Sequence, residues 1–458
     1  MSNKTEKNNL KIYPVTLGCD KNRVDTERML SILSSEGYTF TYDEDEADIA
    51  LVNTCCFIND AKLESVQTLL ELADRKASGQ LRALIVTGCL AEKYREDIRK
   101  EIPEVDSVLG ITAEENVAIA LDKALSGVGT EFFDDINKAF KVSAGRTLTT
   151  GGYYAYMKIA EGCDKGCTYC IIPSLRGRYR SVPKEALIRE ANSLAERGVR
   201  ELILVAQETT LYGTDIYGKK MLPELLDEIA EIEGISRIRI LYCYPEEIDD
   251  ELIAAIKRNE KVANYLDLPL QSGSDAILRR MGRRTTNSEI RKLVTKLRRE
   301  IPDICLRTTL ITGFPGETAR DQKQTLELVR DIEFDRLGVF TYSKEDDTPA
   351  ARMHGHISET LKKRRRTQIM KLQQEIVFRK AESHVGKLMD VIVDGGLDEK
   401  EDDERVYVGR THMDAPDVDG MIFFTGGSRE YISGELVRVK VTNAIEYDLV
   451  GKAVKVLN

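Results

Sequence analysis

The sequence has no long uninterrupted apolar run. Nowhere along its 458 residues does such a run approach the roughly 18 residues that span a membrane. The first residues, MSNKTEKNNLKIY, lack the apolar segment of a signal peptide. Cysteines number nine, an odd total that argues against a secreted disulfide framework. We therefore expect a cytoplasmic protein with no membrane attachment.

Histidine is also scarce, and acidic residues outnumber basic ones. The four histidines all lie in the last quarter of the chain, and none has a credible metal-ligand spacing with the cysteines. The net charge of −10 argues against a general nucleic-acid-binding protein, although a local basic patch stays open. With 42% hydrophobic and 31% charged residues, the chain suits two or three globular domains.

The first part of the chain alternates strand-like and helix-like segments and places a cysteine after each of three strands. This rhythm predicts an α/β domain with a parallel sheet over residues 1–130. Ligands bind beyond the carboxyl ends of such strands, so three thiols there can converge, although each alone would be an ordinary buried cysteine. The predicted strands are 11–17, 49–54, 83–87 and 105–109, the predicted helices include 25–35 and 61–72, and the cysteines are Cys19, Cys55 and Cys89.

A second series of β/α units follows a Gly-, Thr- and Ser-rich stretch that predicts a linker, bounded at 131–152. Over residues 153–385 the units predict a full or partial β/α barrel, with its chemistry at the carboxyl ends of the strands. The predicted strands are 154–159, 201–205, 237–241, 265–268, 305–311 and 336–340.

The last part of the chain combines one long helix with short strands. The helix, predicted over 358–382, contains the basic run at 362–366, which we interpret as a solvated face. Residues 386–458 predict a small antiparallel β-barrel. This segment is acidic, with 15 Asp or Glu against 9 Lys or Arg over 387–458, so it suits a basic protein partner better than a phosphate backbone. Its HMDAPDVDG segment is either an attractive site for such a partner or a plain acidic turn.

The stretch CDKGCTYC holds Cys163, Cys167 and Cys170 within eight residues, directly after the first strand of the second series. Disulfides use thiols in pairs, and structural zinc normally takes four protein ligands. Three thiolates on a cubic 4Fe-4S cluster would leave one iron open for a substrate or cofactor. The spacing therefore favours an iron-sulfur cluster.

This CxxxCxxC spacing, with Tyr169 before the last cysteine, resembles the radical S-adenosylmethionine motif. Its flanks, AYMKIAEGCDKGCTYCIIPSLRG, are similar to those of the methylthiotransferases. That family's order is a methylthiotransferase domain, a radical domain and a TRAM domain, and the resemblance covers nearly the whole chain. It implies two 4Fe-4S clusters, one on Cys163, Cys167 and Cys170 and an auxiliary one on Cys19, Cys55 and Cys89.

Within the family, the sequence is most similar to the enzymes that modify an aspartate of ribosomal protein S-twelve. The segments VFTYSKEDDTPA and GRTHMDAPDVDG carry this likeness outside the cluster motifs. Cys56 departs from the glycine expected after Cys55, and PLQSGSD resembles the tRNA-modifying group equally. The enzymes that act on tRNA adenosine therefore stay the nearest alternative, with tRNA the less favoured partner.

The resemblance also implies a mechanism and further site residues. An unactivated C–H bond has no acidic proton, so acid–base catalysis cannot start the reaction, whereas a radical made from S-adenosylmethionine can. The auxiliary cluster would supply the sulfur, and an electron donor such as a flavodoxin-type protein would be required. The cofactor contacts implied are Tyr169, Gln271, Ser272, Gly313, Gly316 and Glu317.

Two other classes of protein remain open at this point. A non-enzymatic iron-sulfur carrier would account for six cysteines. It would leave the barrel, the GFPGE segment at 313–317 and the third domain without a role. A zinc-stabilised RNA-binding module would contain zinc without iron or sulfide.

Overall fold

A computed structural model describes residue 7 and residues 9–139, 145–401 and 404–457. The first domain is a six-stranded, wholly parallel sheet in the order β2-β1-β3-β4-β5-β6. Its central strands are apolar runs, IALVNT and ALIVTG, buried at every position because helices cover both faces. The strands are β1 Lys11–Thr16, β2 Thr39–Phe40, β3 Ile49–Thr54, β4 Ala83–Gly88, β5 Ser107–Leu109 and β6 Thr130–Phe132, and the helices are α1 Asp20–Ser35, α2 Asn59–Ala77, α3 Cys89–Lys93, α4 Arg95–Glu101 and α5 Val117–Leu125.

The predicted α/β parallel-sheet domain is thus confirmed, with two local differences. Helix α1 begins at Asp20, five residues before the predicted start, and strand β6 crosses the boundary placed at residue 130. Strand β6 pairs with β5 through Val108 and Glu131, so the first sheet extends into the predicted linker.

The second domain is a six-stranded partial barrel. Two parallel sheets, β7-β10-β11 and β12-β13-β14, meet at a single parallel bridge between Ile238 and Val262. The strands are β7 Tyr154–Lys158, β8 Ala160–Glu161, β9 Arg180–Ser181, β10 Glu201–Val205, β11 Arg237–Ile240, β12 Tyr265–Gln271, β13 Cys305–Thr312 and β14 Arg336–Thr341. The helices are α6 Ile172–Arg176, α7 Lys184–Glu196, α8 Leu222–Ala230, α9 Asp250–Arg258, α10 Asp275–Arg280, α11 Asn287–Glu300, α12 Ala319–Ile332 and α13 Glu359–Glu382.

The basic run on α13 is not simply a solvated face, as the sequence had suggested. Lys362 and Arg365 are buried. The Lys362 ammonium donates to the carbonyl of Tyr342 at 2.7 Å, and Arg365 binds the Glu317 carboxylate at 2.7 Å. Two of the five cations therefore attach the helix to loops of the barrel.

The third domain is a closed five-stranded barrel in the order β15-β16-β17-β19-β18. The strand pairs are antiparallel as predicted, apart from β17 and β19, which run parallel. The strands are β15 Leu388–Glu401, β16 Glu404–Arg410, β17 Ile422–Thr425, β18 Leu436–Ile445 and β19 Asp448–Leu457.

The acidic segment between β16 and β17 packs against the amino-terminal end of the partial barrel, where strands β12 and β14 begin. Asp414 is buried and pairs with Arg336. Asp419 accepts a hydrogen bond from the Tyr265 hydroxyl at 2.8 Å. We therefore reject attraction of a partner protein as the role of Asp414 and Asp419, because barrel side chains already bind them. Among the described helices, none is long and apolar enough to cross a membrane.

Candidate functional site: two cysteine triads

The first triad lies at the carboxyl edge of the first sheet. Cys19 directly precedes α1, Cys55 directly follows β3, and Cys89 begins α3 after β4. The three thiols are close enough to influence one another's charge, since Cys19 and Cys89 both raise the pKa of Cys55 after the larger effect of burial. Gly18 makes this approach possible: its φ is +91°, and a Cβ there would stand 2.7 Å from the Cys55 sulfur.

The second triad lies in the loop between β8 and α6. Cys170 N–H donates to the Cys167 carbonyl at 3.1 Å, which folds the loop tightly. The Tyr244 hydroxyl lies 3.6 Å and an Arg283 nitrogen 3.7 Å from the Cys167 sulfur. These two donors can stabilise a thiolate, and hydrogen bonds to ligand sulfurs tune iron-sulfur clusters.

Burial dominates the electrostatics of the thiols. It raises the pKa of Cys163 to about 11, although Lys165 nearby lowers it. It also raises the pKa of Cys170 and of Cys55 to about 12. Ligand thiols must lose their protons when a metal binds. Because burial raises the pKa of these thiols, a nearby positive charge is needed to favour their thiolate forms.

The ligand set of each triad is inferred from the positions of the cysteines in the sequence. Within the described ranges, no three His, Cys, Asp or Glu side chains are grouped so as to hold a single metal ion. Thiolates that share one zinc each lie about 2.3 Å from it and so crowd together. Thiolates that bind separate corners of a cluster stand farther apart. All nine cysteines are free thiols, so both triads are available as ligands.

Glu208 is a candidate that the sequence reasoning missed. It follows β10 by three residues and is fully buried. Its Oε2 has no hydrogen-bond partner, and its nearest cation, Lys165, is 3.7 Å away. Burial raises the pKa of Glu208 to about 7. The signal was present in VAQETTLYG, because an acid at the carboxyl end of a barrel strand lies at the functional edge.

The predicted cofactor contacts lie at this same edge. Tyr169 meets Phe314 edge-on, with ring centroids 6.4 Å apart, so the cysteine loop contacts the GFPGE loop. Gln271 has a φ of +75° at the end of β12, and its Oε1 is buried without a hydrogen-bond partner. Ser272 accepts a hydrogen bond from the Ser274 N–H at 3.1 Å. The unpartnered acceptor of Gln271 suits a ligand with donor groups.

The GFPGE loop is held mainly by protein contacts. Glu317 accepts from the Gly313 N–H at 2.8 Å and from Arg365 at 2.7 Å. A Cβ on Gly313 would lie 2.2 Å from the Lys362 side chain, and one on Gly316 would lie 3.1 Å from the Arg280 guanidinium. Through these contacts Glu317 stabilises the conformation of the GFPGE loop. Direct cofactor contacts from Gly313, Gly316 and Glu317 stay a prediction.

Arg176 joins the two triads. It lies on α6, six residues after Cys170, and one of its nitrogens is 3.7 Å from the Cys89 sulfur. The same guanidinium binds Asp25 at 2.8 Å and Glu161 at 2.9 Å. Glu161 precedes Cys163 by two residues, so one buried cation contacts both cysteine regions.

The other three cysteines are core residues. Cys56 is fully buried in the core of the first domain together with Cys89. Cys243 packs in the barrel core beside the Thr209 hydroxyl at 3.5 Å. Cys305 contacts the Met413 carbonyl at 3.5 Å. Cys243 and Cys305 are therefore packing residues.

Comparison with protein families divides the chain into the same three parts. The Uncharacterized protein family UPF0004 matches residues 11–110, the Radical SAM superfamily matches residues 157–329 and the TRAM domain matches residues 385–454. A solved structure of the radical S-adenosylmethionine methyltransferase TsrM from Kitasatospora setae, with cobalamin and a 4Fe-4S cluster bound, is similar with a TM-score of 0.53 at 15% identity. The match covers 74% of this chain and 77% of that one. This likeness shows a shared fold.

Three relatives that match nearly the whole chain carry the same name. The ribosomal protein uS12 methylthiotransferase RimO of Lachnoclostridium phytofermentans is 57% identical over 444 residues, which cover 97% of this chain and 100% of that protein. The proteins of the same name from Acetivibrio thermocellus and Geobacter sulfurreducens are 48% and 46% identical. Those matches cover 97% and 99% of this chain and 98% and 100% of theirs.

Proposed function

Because the chain belongs to the family of ribosomal protein uS12 methylthiotransferases, we propose that it methylthiolates the β-carbon of an aspartate in uS12, the small-subunit protein S-twelve. The observation that carries this proposal is that one buried cation links the two cysteine regions: Arg176 contacts the Cys89 sulfur of the first triad and the carboxylate of Glu161, two residues before Cys163 of the second. One site supplies a radical and the other supplies sulfur, so the reaction needs both within one enclosed space.

The six cysteines would hold the two clusters. Cys163, Cys167 and Cys170 would bind the radical cluster, and Cys19, Cys55 and Cys89 the auxiliary cluster, each with one iron left open. When bound, these clusters and S-adenosylmethionine supply the radical that removes hydrogen and the sulfur that replaces it. The remaining work belongs to the polypeptide.

Protein side chains would orient the cofactor through their unpartnered acceptors. The Glu208 carboxylate, buried close to Cys163, suits the amino group of S-adenosylmethionine. The Gln271 amide oxygen and Ser272 hydroxyl lie at the end of β12 and suit its other polar groups. Tyr169 would border the adenine, held there by Phe314.

Burial at the domain interface would exclude water from the reacting atoms. Arg176, Lys158, Asp25 and Glu161 form a network in which every member is buried. Water exclusion protects reactive intermediates from side reactions. A flavodoxin-type protein would donate the electron, and the reducing cytoplasm would keep the cysteines from forming disulfides.

Reconstitution tests the function. The protein would be loaded anaerobically with iron and sulfide and given S-adenosylmethionine and a reductant, with uS12 and unmodified tRNA offered together. Mass spectrometry should show a methylthio gain on an aspartate of uS12 and none on tRNA. A gain on tRNA adenosine alone would refute the substrate while keeping the radical chemistry.

A further inference from the structure

The interior of the partial barrel is open on the β13 and β14 side. Alternate residues of β13 differ in burial: Leu306, Thr308 and Leu310 are buried toward the helices, whereas Arg307 and its lumen-facing neighbours are partly exposed. On β14, Phe340 remains 49% exposed, and a Cβ on Gly338 would have nothing within 4 Å. A side chain from another molecule therefore has room to enter this lumen.

Arg307 is the cation on this exposed face of β13. Its ion-pair distances are long, 3.9 Å to Asp267 and 3.8 Å to Asp419. Asp419 is already engaged, because it accepts hydrogen bonds from the Tyr265 hydroxyl at 2.8 Å and the Ala415 N–H at 3.0 Å. A guanidinium has five N–H donors in a planar fork. Asp267, Asp419 and the neighbouring Tyr265 hydroxyl engage part of that fork, and its other donors are open to a ligand.

Cations closer to the cysteines are committed elsewhere. Arg176 binds Asp25 and Glu161 at 2.8 and 2.9 Å, Lys158 binds the same two acids, and Lys165 binds Glu247 at 2.5 Å. Arg307 therefore differs from these three by the length of its contacts.

The surroundings connect Arg307 to the first cysteine triad. Asp267, opposite Arg307 on β12, accepts from the Tyr242 N–H at 3.2 Å, and its Oδ1 is buried without a hydrogen-bond partner. The Lys21 ammonium lies 3.4 Å from the centroid of the Tyr242 ring. Lys21 is two residues from Cys19, so a ligand on Arg307 would lie on the side of the lumen that leads to the sulfur-supplying site.

We propose that Arg307 is the binding site for the side-chain carboxylate of the substrate aspartate, which enters the lumen beside Phe340. This inference rests on the proposed function and deepens it by naming the residue that selects an aspartate. Guanidinium and carboxylate pair bidentately in one plane. A nucleic-acid phosphate is a poorer occupant than one carboxylate, because Asp267 and Asp419 oppose every anion at Arg307 and a phosphate chain brings more negative charges than this one guanidinium can pair. Phe340 also offers apolar contact to a peptide.

The test compares binding of two forms of uS12, one with the target aspartate and one with asparagine in its place. Kd is measured with the cluster-loaded enzyme without reductant, for the wild type, Arg307→Gln and Arg307→Lys. Arg330→Gln is the matched control, because it removes the same charge from an exposed position of α12. Iron content and the thermal midpoint show that each variant is folded and loaded.

The wild type and Arg330→Gln should prefer the aspartate form by roughly 10- to 100-fold, as for a charge-assisted hydrogen bond. Arg307→Gln should bind both forms alike, and Arg307→Lys should keep part of the preference because a point charge lacks the fork. With reductant, Arg307→Gln should still produce 5'-deoxyadenosine while methylthiolating little uS12. A wild-type preference retained by Arg307→Gln would overturn this inference alone. Failure of the wild type to modify uS12 would overturn the proposed function with it.

Discussion

The guanidinium of Arg176 lies 3.7 Å from the sulfur of Cys89, although the two residues belong to different domains. Arg176 also binds the Asn22 side chain at 2.5 Å, close to Cys19. A buried positive charge at this position favours the thiolate form of Cys89, since Arg176 lowers a pKa that burial raises. The second domain thereby completes the environment of the first cysteine triad.

Replacing this charge should change the auxiliary cluster. We expect Arg176→Met to lower the reduction potential of that cluster, because hydrogen bonds and positive charge near ligand sulfurs favour the reduced state. Loss of the buried partner of Asp25 and Glu161 should also cost about 3–5 kcal/mol of stability. Potentiometric titration followed by electron paramagnetic resonance measures the first effect, and thermal unfolding the second.

Arg178→Met is the matched control, since Arg178 is exposed two residues away. It should leave both the potential and the thermal midpoint near the wild-type values. A potential that stays the same in folded Arg176→Met would contradict a tuning role for Arg176.

The two triads should be separable by mutation. Cys163→Ala should abolish cleavage of S-adenosylmethionine, because the radical cluster loses a ligand. Cys89→Ala should keep much of that cleavage and end sulfur insertion. Chromatography of 5'-deoxyadenosine and mass spectrometry of uS12 read the two steps from the same reaction.

Cys243→Ala serves as the control for the loss of a buried thiol that belongs to neither triad, because Cys243 packs in the barrel core. It should retain both activities. Methylthio product formed by Cys89→Ala at the wild-type level would refute the division of labour between the two sites.

Much of the fold could be predicted from the sequence because the central strands are strongly patterned. Strands β3 and β10 have the predicted bounds, Ile49–Thr54 and Glu201–Val205, since each is a short run buried on both faces. The start of α1 was missed because Lys21, Asn22 and Asp25 are polar yet buried against the second domain. Periodicity within one domain cannot reveal burial caused by another.

The candidate site, like the fold, could be predicted from the sequence only in part. Cysteine positions after strands β1, β3 and β4 predicted the first triad, because parallel strands end at one edge. The contact from Arg176 to Cys89 joins residues 87 positions apart, and no local pattern predicts it. Asp414 and Asp419 looked like a surface acidic turn, but their partners, Arg336 and Tyr265, lie in a different domain.

The docking of the third domain should depend on acid pH. Glu201 binds Arg239 at 3.0 Å and Arg410, on β16, at 2.5 Å. Burial alone would raise the pKa of Glu201, but Arg410 and Arg239 lower it to about 2. The folded pKa is thus below the unfolded value of about 4.3. The stabilisation is therefore present above that value and is lost as the pH falls toward 2.

Glu201→Gln should lower the free energy of unfolding by about 3–5 kcal/mol at pH 7, because Arg239 and Arg410 both lose a buried carboxylate partner and only Arg410 keeps another, Asp394. The difference from the wild type should shrink as the pH falls below about 4.3. Denaturant unfolding at several pH values measures it, with the exposed Glu430→Gln as control. A difference that is constant with pH would contradict this account of the Glu201 contacts.

The most direct test of the central claim follows hydrogen from the substrate. The uS12 protein is prepared with deuterium on the β-carbon of its aspartates. It is given to the reconstituted enzyme with S-adenosylmethionine and reductant. The deuterium content of the 5'-deoxyadenosine is then measured by mass spectrometry. We predict one deuterium in 5'-deoxyadenosine and a methylthio group on the uS12 aspartate. Methylthiolated uS12 formed without deuterium in 5'-deoxyadenosine would contradict radical abstraction at the β-carbon.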